Sequence, residues 1–122
     1  MRTVKIAECS KELTARERLM LKDTTNASKL DTLLNEEDEV IIEPAMFATL
    51  QVVFDTPDEG EDYEQYIIID KDDNKYVTGS QSFWNSFMDI VNEMGDEPFE
   101  IVAYRKDSKN RPGKYFITCS IR

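Results

Sequence analysis

The chain has 122 residues, of which 40% are hydrophobic, and this length and composition predict one folded unit with its own core. It contains no histidine, which excludes Ser-His-Asp and Cys-His catalysis and removes the commonest zinc ligand. Cys9 and Cys119 lie far apart and outside any CxxC spacing, so we expect reduced thiols in a cytoplasmic protein. No apolar stretch has the length of a transmembrane helix and no export leader is visible, so we expect no membrane contact.

The charges are distributed unevenly along the chain, although the net charge of −10 by itself disfavours a nucleic-acid partner. Residues 1–29 carry seven Lys/Arg and four acids, a balance of +3. Residues 30–104 carry two Lys and twenty acids, a balance of −18, and residues 105–122 carry six Lys/Arg and one acid, a balance of +5. An acidic middle is therefore flanked by basic ends, and this asymmetry says more about partners than the total charge does.

The N-terminal part of the chain predicts a short strand and a helix. The opening run "MRTVKIAEC", residues 1–9, alternates as a strand does, and "KLDTLLN" indicates a further helical turn or two. Ser10 is a candidate N-cap of the first helix, whose apolar positions are Leu13, Leu19, Met20 and Leu21. We treat residues 1–37 as an N-terminal extension that forms one folded unit with the rest of the chain.

From residue 38 onward the pattern predicts the order strand, strand, strand, helix, strand, strand. The first strand is long and is interrupted at Pro44, because proline cannot donate to a sheet. The helix lies in "SQSFWNSFMDIVNEMG", where aromatic residues recur at helical spacing before Gly95. This order is that of an OB-fold, a five-stranded barrel, here within residues 38–122 and with a helix between strands 3 and 4. The predicted class is α+β, and another five-stranded half-barrel would give the same pattern.

The segment "IDKDDNKYVTGS" raises the question of a calcium site, because Asp70, Asp72 and Asn74 alternate as they do in an EF-hand loop. The sixth position of that loop requires glycine and the twelfth requires glutamate, but Lys75 and Gln81 stand there. A strand pattern rather than a helix precedes the segment. We therefore expect a hairpin turn rich in Asp and Asn, and no metal.

A basic hairpin joins the last two predicted strands. Cations that follow a phosphate backbone, together with flat rings that stack on unpaired bases, suit single-stranded nucleic acid. A solvated turn that balances the acidic middle is an equally open interpretation. The candidate DNA-binding residues of this hairpin are Tyr104, Arg105, Lys106, Lys109, Arg111, Lys114 and Phe116, with Tyr115 beside them.

Further candidates lie on the second and third strands after residue 38. Strand alternation places Tyr66 and Tyr76 on the side opposite Ile67 and Val77. If the isoleucines fill a barrel, both tyrosines point outward. Lys75 precedes Tyr76 at the start of the third strand, where it can also face a ligand.

Four segments from residue 39 onward carry a resemblance to a known family: "EVIIEPAMFATLQVV", "DNKYVTGS", the helix that follows, and "FEIVAYRKDSKNRPGKYFITCSIR". They resemble the small single-stranded DNA-binding proteins of phages, or related mobile elements, of Gram-positive bacteria, and are similar in particular to those of small protein-primed podoviruses. The resemblance implies a stacking role for Tyr76. Leu50 stands where the protein-primed group has a further tyrosine.

The resemblance implies a non-enzymatic protein without a cofactor, which coats and protects single strands during DNA replication in the host cytoplasm. Replication proteins are further expected partners, through the acidic surface, and the chain is a monomer or a dimer. The alternative is an acidic DNA mimic that inhibits a basic nucleic-acid-binding protein. The acidic middle favours that alternative, and the +5 C-terminal segment counts against it. No carboxylate spacing is typical of a catalytic magnesium site, so we expect no enzyme.

Overall fold

The computed structural model describes residues 2–108 and 113–122 and has a mixed α+β architecture, as predicted. Among these residues, no helix is both long and apolar enough to cross a membrane. The elements follow the chain in the order β1 (Arg2–Cys9), α1 (Ala15–Lys22), β2 (Ser28–Lys29), α2 (Leu30–Glu36), β3 (Glu39–Ile42), β4 (Pro44–Phe54), β5 (Tyr63–Asp70), β6 (Lys75–Thr78), α3 (Gln81–Met94), β7 (Ile101–Asp107) and β8 (Tyr115–Ile121).

The strands form two sheets. One has the order β1-β4-β5-β6-β2 and the other has the order β3-β7-β8. Within the described part of the chain neither sheet closes into a barrel. The predicted long strand is divided at Glu43, so that β3 pairs with β7 and β4 pairs with β1. The interruption falls next to Pro44, where the missing N–H makes continued pairing unfavourable.

The chain divides into two compact units, each built from two segments. The first unit comprises Met1–Ser28 with Ala45–Gly79, and the second comprises Lys29–Pro44 with Ser80–Arg122. The predicted division into residues 1–37 and 38–122 stays a prediction. What the structure adds is the partner of the N-terminal strand, because β1 runs antiparallel to β4 from Arg2 opposite Phe54 to Cys9 opposite Ala48.

The core of the first unit lies between α1 and the sheet. Leu21 is the buried residue of α1, and it belongs to a cluster with Met46, Ala48, Leu50, Ile67, Ile69 and Val77. The helix begins with a capping box at Thr14, whose hydroxyl accepts from the backbone N–H of Glu17. The predicted N-cap, Ser10, is therefore wrong. Ser10 extends the strand pair instead, because its hydroxyl accepts from the backbone N–H of Phe47 at 3.2 Å.

The core of the second unit is built by α3 against its sheet. Ser80 caps the helix, Gly95 ends it with φ of 61°, and Phe83, Trp84 and Phe87 are buried, as their spacing predicted. The Ser82 hydroxyl donates to the backbone carbonyl of Ile117 at 2.9 Å. Burial raises the pKa of the Cys119 thiol in β8 to about 12, and both cysteines are free thiols. The buried isoleucines of the strands include Ile67, Ile69, Ile101 and Ile117.

Candidate nucleic-acid interface

The described part of the basic hairpin is a regular antiparallel pair. Lys106 lies opposite Phe116, and Arg105 lies opposite Ile117. The backbone N–H of Ser108 donates to the carbonyl of Lys114 at 3.0 Å, which holds the strands together beyond the ladder. Lys106 and Lys114 have exposed side chains, so their ammonium groups are accessible to phosphate. The predicted candidates Lys109 and Arg111 lie outside the described residues.

Arg105 and Tyr115 form a cation–π pair near the turn end of the hairpin ladder, which we call the Arg105–Tyr115 platform. The guanidinium carbon lies 4.8 Å from the centre of the tyrosine ring, a cation–π distance. Asn35 lies at the end of α2, and its Oδ1 accepts a hydrogen bond from each residue. The Arg105 guanidinium donates at 3.3 Å, and the Tyr115 hydroxyl donates at 3.4 Å. Tyr115 is 54% exposed, so the platform combines a positioned cation with an accessible ring.

The opposite side of the same hairpin also presents rings and a cation. Directly opposed residues in an antiparallel pair share a face, and the register therefore places Tyr104, Lys106 and Phe116 together. Phe116 is 37% exposed. The hydroxyls of Tyr104 and Ser120 form a hydrogen bond of 3.0 Å, which leaves the tyrosine ring half-buried along the strand. The hairpin therefore offers aromatic and cationic groups on both sides.

Tyr66 is buried, with 4% of its surface exposed, so the prediction that it points outward is wrong. The reason is the position of β5 between β4 and β6, where every residue from Tyr66 to Asp70 is buried and both faces of the strand are covered. Burial raises the pKa of the Tyr66 phenol, and the nearby Glu64 carboxylate raises it further. A base has no access to this ring in the folded unit.

The ammonium group of Lys75 is bound to the end of a helix. Its ammonium group donates to the backbone carbonyls of Met20 and Asp23, each at 2.8 Å. These carbonyls belong to the C-terminal end of α1, where unpaired carbonyls and the helix dipole favour a cation. Lys75 was predicted to face a ligand, but its ammonium group is hydrogen-bonded to backbone carbonyls of its own unit.

Replacing Lys75 with methionine is expected to lower the free energy of unfolding by about 1–2 kcal/mol, because two charge-assisted hydrogen bonds are lost from a partly exposed site. Chemical denaturation measures this loss. Lys106→Met is the matched control, since Lys106 is exposed on β7 and its replacement should leave stability unchanged. Equal stability of both variants would show that the Lys75 bonds contribute nothing.

Tyr76 lies on β6 opposite Ile68 and is half-buried. It lines a cleft of about 330 Å³ whose other walls are Asn26, Ser28, Asp73, Asn74 and Lys75. Burial raises the pKa of the Tyr76 phenol, and the carboxylates of Asp70 and Asp72 raise it further. The ring is partly accessible, but its surroundings repel phosphate.

The acidic turn between β5 and β6 is a hydrogen-bonded hairpin turn, which confirms that prediction. The Asp70 carboxylate accepts from the backbone N–H of Asp72 at 2.9 Å and of Asn74 at 2.8 Å, and from the Asn74 amide at 3.1 Å. Asp73 adopts φ of 66°, which the tight turn requires. Across the described ranges, no group of three or more His, Cys, Asp or Glu residues is arranged to hold a metal ion.

The sequence did not identify Asn35 as part of the interface, and it identified Tyr115 only as a neighbour of the basic run. Tyr115 carried a usable signal, since an aromatic residue next to a cationic turn is typical of nucleic-acid contacts. Asn35 carried none, because its role depends on where α2 ends relative to β7. Comparisons with models of protein families, with curated proteins and with solved structures find no significant match for this chain.

Proposed function

We propose that this chain is a non-enzymatic, sequence-independent single-stranded DNA-binding protein, of the kind that phages and related mobile elements use in replication. The observation that carries the proposal is the Arg105–Tyr115 platform, with its 4.8 Å stack and its shared bond to Asn35. An ordered cation next to an exposed ring matches a phosphate followed by an unpaired base. Such a site reads no base edge, so it tolerates any sequence.

Strand pairing supports an OB-like arrangement as part of the same proposal. β4, β5 and β6 are neighbours in one sheet, and β3, β7 and β8 are neighbours in the other. β3 and β4 are consecutive halves of one extended run, and the helix α3 follows β6, as in the barrel order of strand, strand, strand, helix, strand, strand.

The proposed contacts are those that the structure leaves accessible. Arg105, Lys106 and Lys114 supply cations, while Tyr115 and Phe116 supply exposed rings. Tyr104 and Tyr76 are half-buried secondary stacking positions. Lys109 and Arg111 remain proposed members of the site on the basis of the sequence alone. We leave Tyr66 out of the proposed site because it is buried, and Lys75 because its ammonium group is hydrogen-bonded within its own unit.

Binding to oligo-dT should be salt-dependent, because each phosphate neutralised on a single strand adds about −0.7 to the slope of log K against log salt. The double variant Lys106→Ala with Lys114→Ala should therefore bind more weakly and flatten that slope by about 1.4. The measurement is a titration of labelled oligo-dT, and of a matching duplex, at two salt concentrations.

The matched control for this titration is Lys5→Ala with Lys29→Ala, two exposed lysines outside the hairpin, whose removal should change the slope little. Equal slopes for the two double variants would show that the hairpin is only a solvated turn. If the parent does not bind oligo-dT at low salt, the proposed function fails and the acidic, DNA-mimicking alternative becomes the better one.

A further inference from the structure

The helix α1 presents an exposed leucine among cations, which we call the Leu19 surface. Leu19 is 67% exposed, although the next residue but one, Leu21, is completely buried. Arg16, Arg18 and Lys22 are exposed around it, and none of the three has an ion-pair partner among the residues that the structure describes. Glu17 is the acid of this helix, and Lys11 pairs with it at 2.9 Å. The surface is therefore apolar at its centre and positive at its rim.

The same unit contains a cleft of the opposite charge after β4, which we call the Phe54 cleft. It has a volume of about 320 Å³ and is lined by Phe54, Thr56, Pro57, Gly60, Glu61 and Asp62. Gly60 has φ of 151° and lies so close to the Phe54 ring that an added Cβ would be 3.2 Å from it. Its lining is apolar at Phe54 and Pro57 and acidic at Glu61 and Asp62. Asp58 and Glu64 are further exposed acids that are close to this lining in sequence.

We propose that the Leu19 surface of one copy docks into the Phe54 cleft of a second copy. The apolar centres match, and the cations around Leu19 have a charge opposite to that of the acidic segment that lines the cleft, the arrangement of an interface with a buried anchor and a polar edge. A phosphate backbone would match the cations but would leave Leu19 in water, so a protein partner fits this surface better. The proposal is independent of DNA binding.

The contact joins two different surfaces of the same unit, so it is head-to-tail. After two copies associate, one still has a free Leu19 surface and the other still has a free Phe54 cleft. Such heterologous contacts produce rings when the rotation closes and open chains when it does not. We therefore expect a distribution of oligomers that grows with concentration, rather than a single closed dimer.

Sedimentation velocity of the parent without DNA tests this inference. Association should increase with concentration in about 0.05 M salt and weaken in about 0.5 M salt, where exposed charges are screened within a few ångströms. Leu19→Ser should reduce the association constant at least about tenfold, as expected for a leucine side chain that is buried on docking. Ile121→Ser is the matched control, because Ile121 is 50% exposed but lies in β8, outside both surfaces.

Reversing the charges of the Leu19 surface and of the Phe54 cleft in separate variants tests the pairing of the two surfaces most directly. Arg18→Glu with Lys22→Glu should abolish association, and Glu61→Lys with Glu64→Lys should abolish it separately. A mixture of these two variants should associate, because the rims again carry opposite charges. A parent that stays monomeric at low salt, an unaffected Leu19→Ser variant, or a mixture that does not associate would each overturn the inference. So would loss of oligo-dT affinity in the Arg18/Lys22 variant with self-association intact, which would make α1 a nucleic-acid surface.

Discussion

Replacing Tyr115 with alanine is expected to weaken the binding of oligo-dT about ten- to a hundred-fold. The exposed ring is lost as a stacking surface, which is worth about 1–3 kcal/mol per base, and each 1.4 kcal/mol corresponds to a factor of about ten. The change also removes the ring that holds the Arg105 guanidinium. Tyr115→Phe should bind almost as the parent does, because it loses only the hydroxyl bond to Asn35 at 3.4 Å.

Fluorescence anisotropy with a labelled oligo-dT of about 8–10 nucleotides measures this effect on roughly one bound copy. Tyr63→Ala is the matched control, since Tyr63 is also an exposed tyrosine but lies next to the acidic loop, where phosphate is repelled. A folded Tyr115→Ala variant with the affinity of the parent would exclude the platform from binding. The stacking residues would then be sought at Phe116 and Tyr104.

Replacing Asp70 with alanine is expected to lower the free energy of unfolding by about 2–4 kcal/mol. The carboxylate is buried and accepts three hydrogen bonds, two of them from backbone N–H groups of the turn. A bond to a charged acceptor contributes about 1.5–3 kcal/mol, and water can restore part of the loss at this turn. Urea unfolding of parent and variant at neutral pH measures the difference.

Two further comparisons separate the turn from a metal site. Asp72→Ala should change stability by less than about 0.5 kcal/mol, because its side chain is exposed. Asp70→Asn keeps one oxygen acceptor and should lose less stability than Asp70→Ala. Added calcium should leave the melting temperature of the parent unchanged. A melting temperature that rises with calcium in the parent, but not in Asp70→Ala, would contradict the turn interpretation.

The sequence predicted the elements well where hydrophobic periodicity was strong. The spacing of Phe83, Trp84 and Phe87 predicted α3, and all three side chains are buried. The pairing of β1 with β4 was not predictable, because it joins residues about 40 to 50 positions apart and leaves no local signal. The prediction that Tyr66 points outward was wrong for a related reason. Alternation separates the two faces of a strand, but only the sheet order shows whether one of those faces is exposed to solvent.

The candidate site was predictable where its residues are close together in the sequence. Consecutive cations and rings in "YRKDSKNRPGKYF" indicated a hairpin, and the described part of it pairs as expected. Asn35 and the carbonyls that bind Lys75 are distant in sequence from their partners. Long-range packing decides whether a lysine binds phosphate or the carbonyls at a helix end. Composition alone therefore could not distinguish the two roles.

The pairing of β1 along β4 has a consequence for shortened forms of this protein. A chain that starts at residue 38 would keep the eleven-residue β4 but would lose its neighbour on one side. It would also lose Leu21, which packs on that sheet. A long apolar strand with unpaired N–H and C=O groups is a template for pairing with another chain. Such a fragment should therefore precipitate or form mixed oligomers, and its aggregation would conceal any DNA binding that its intact hairpin retains.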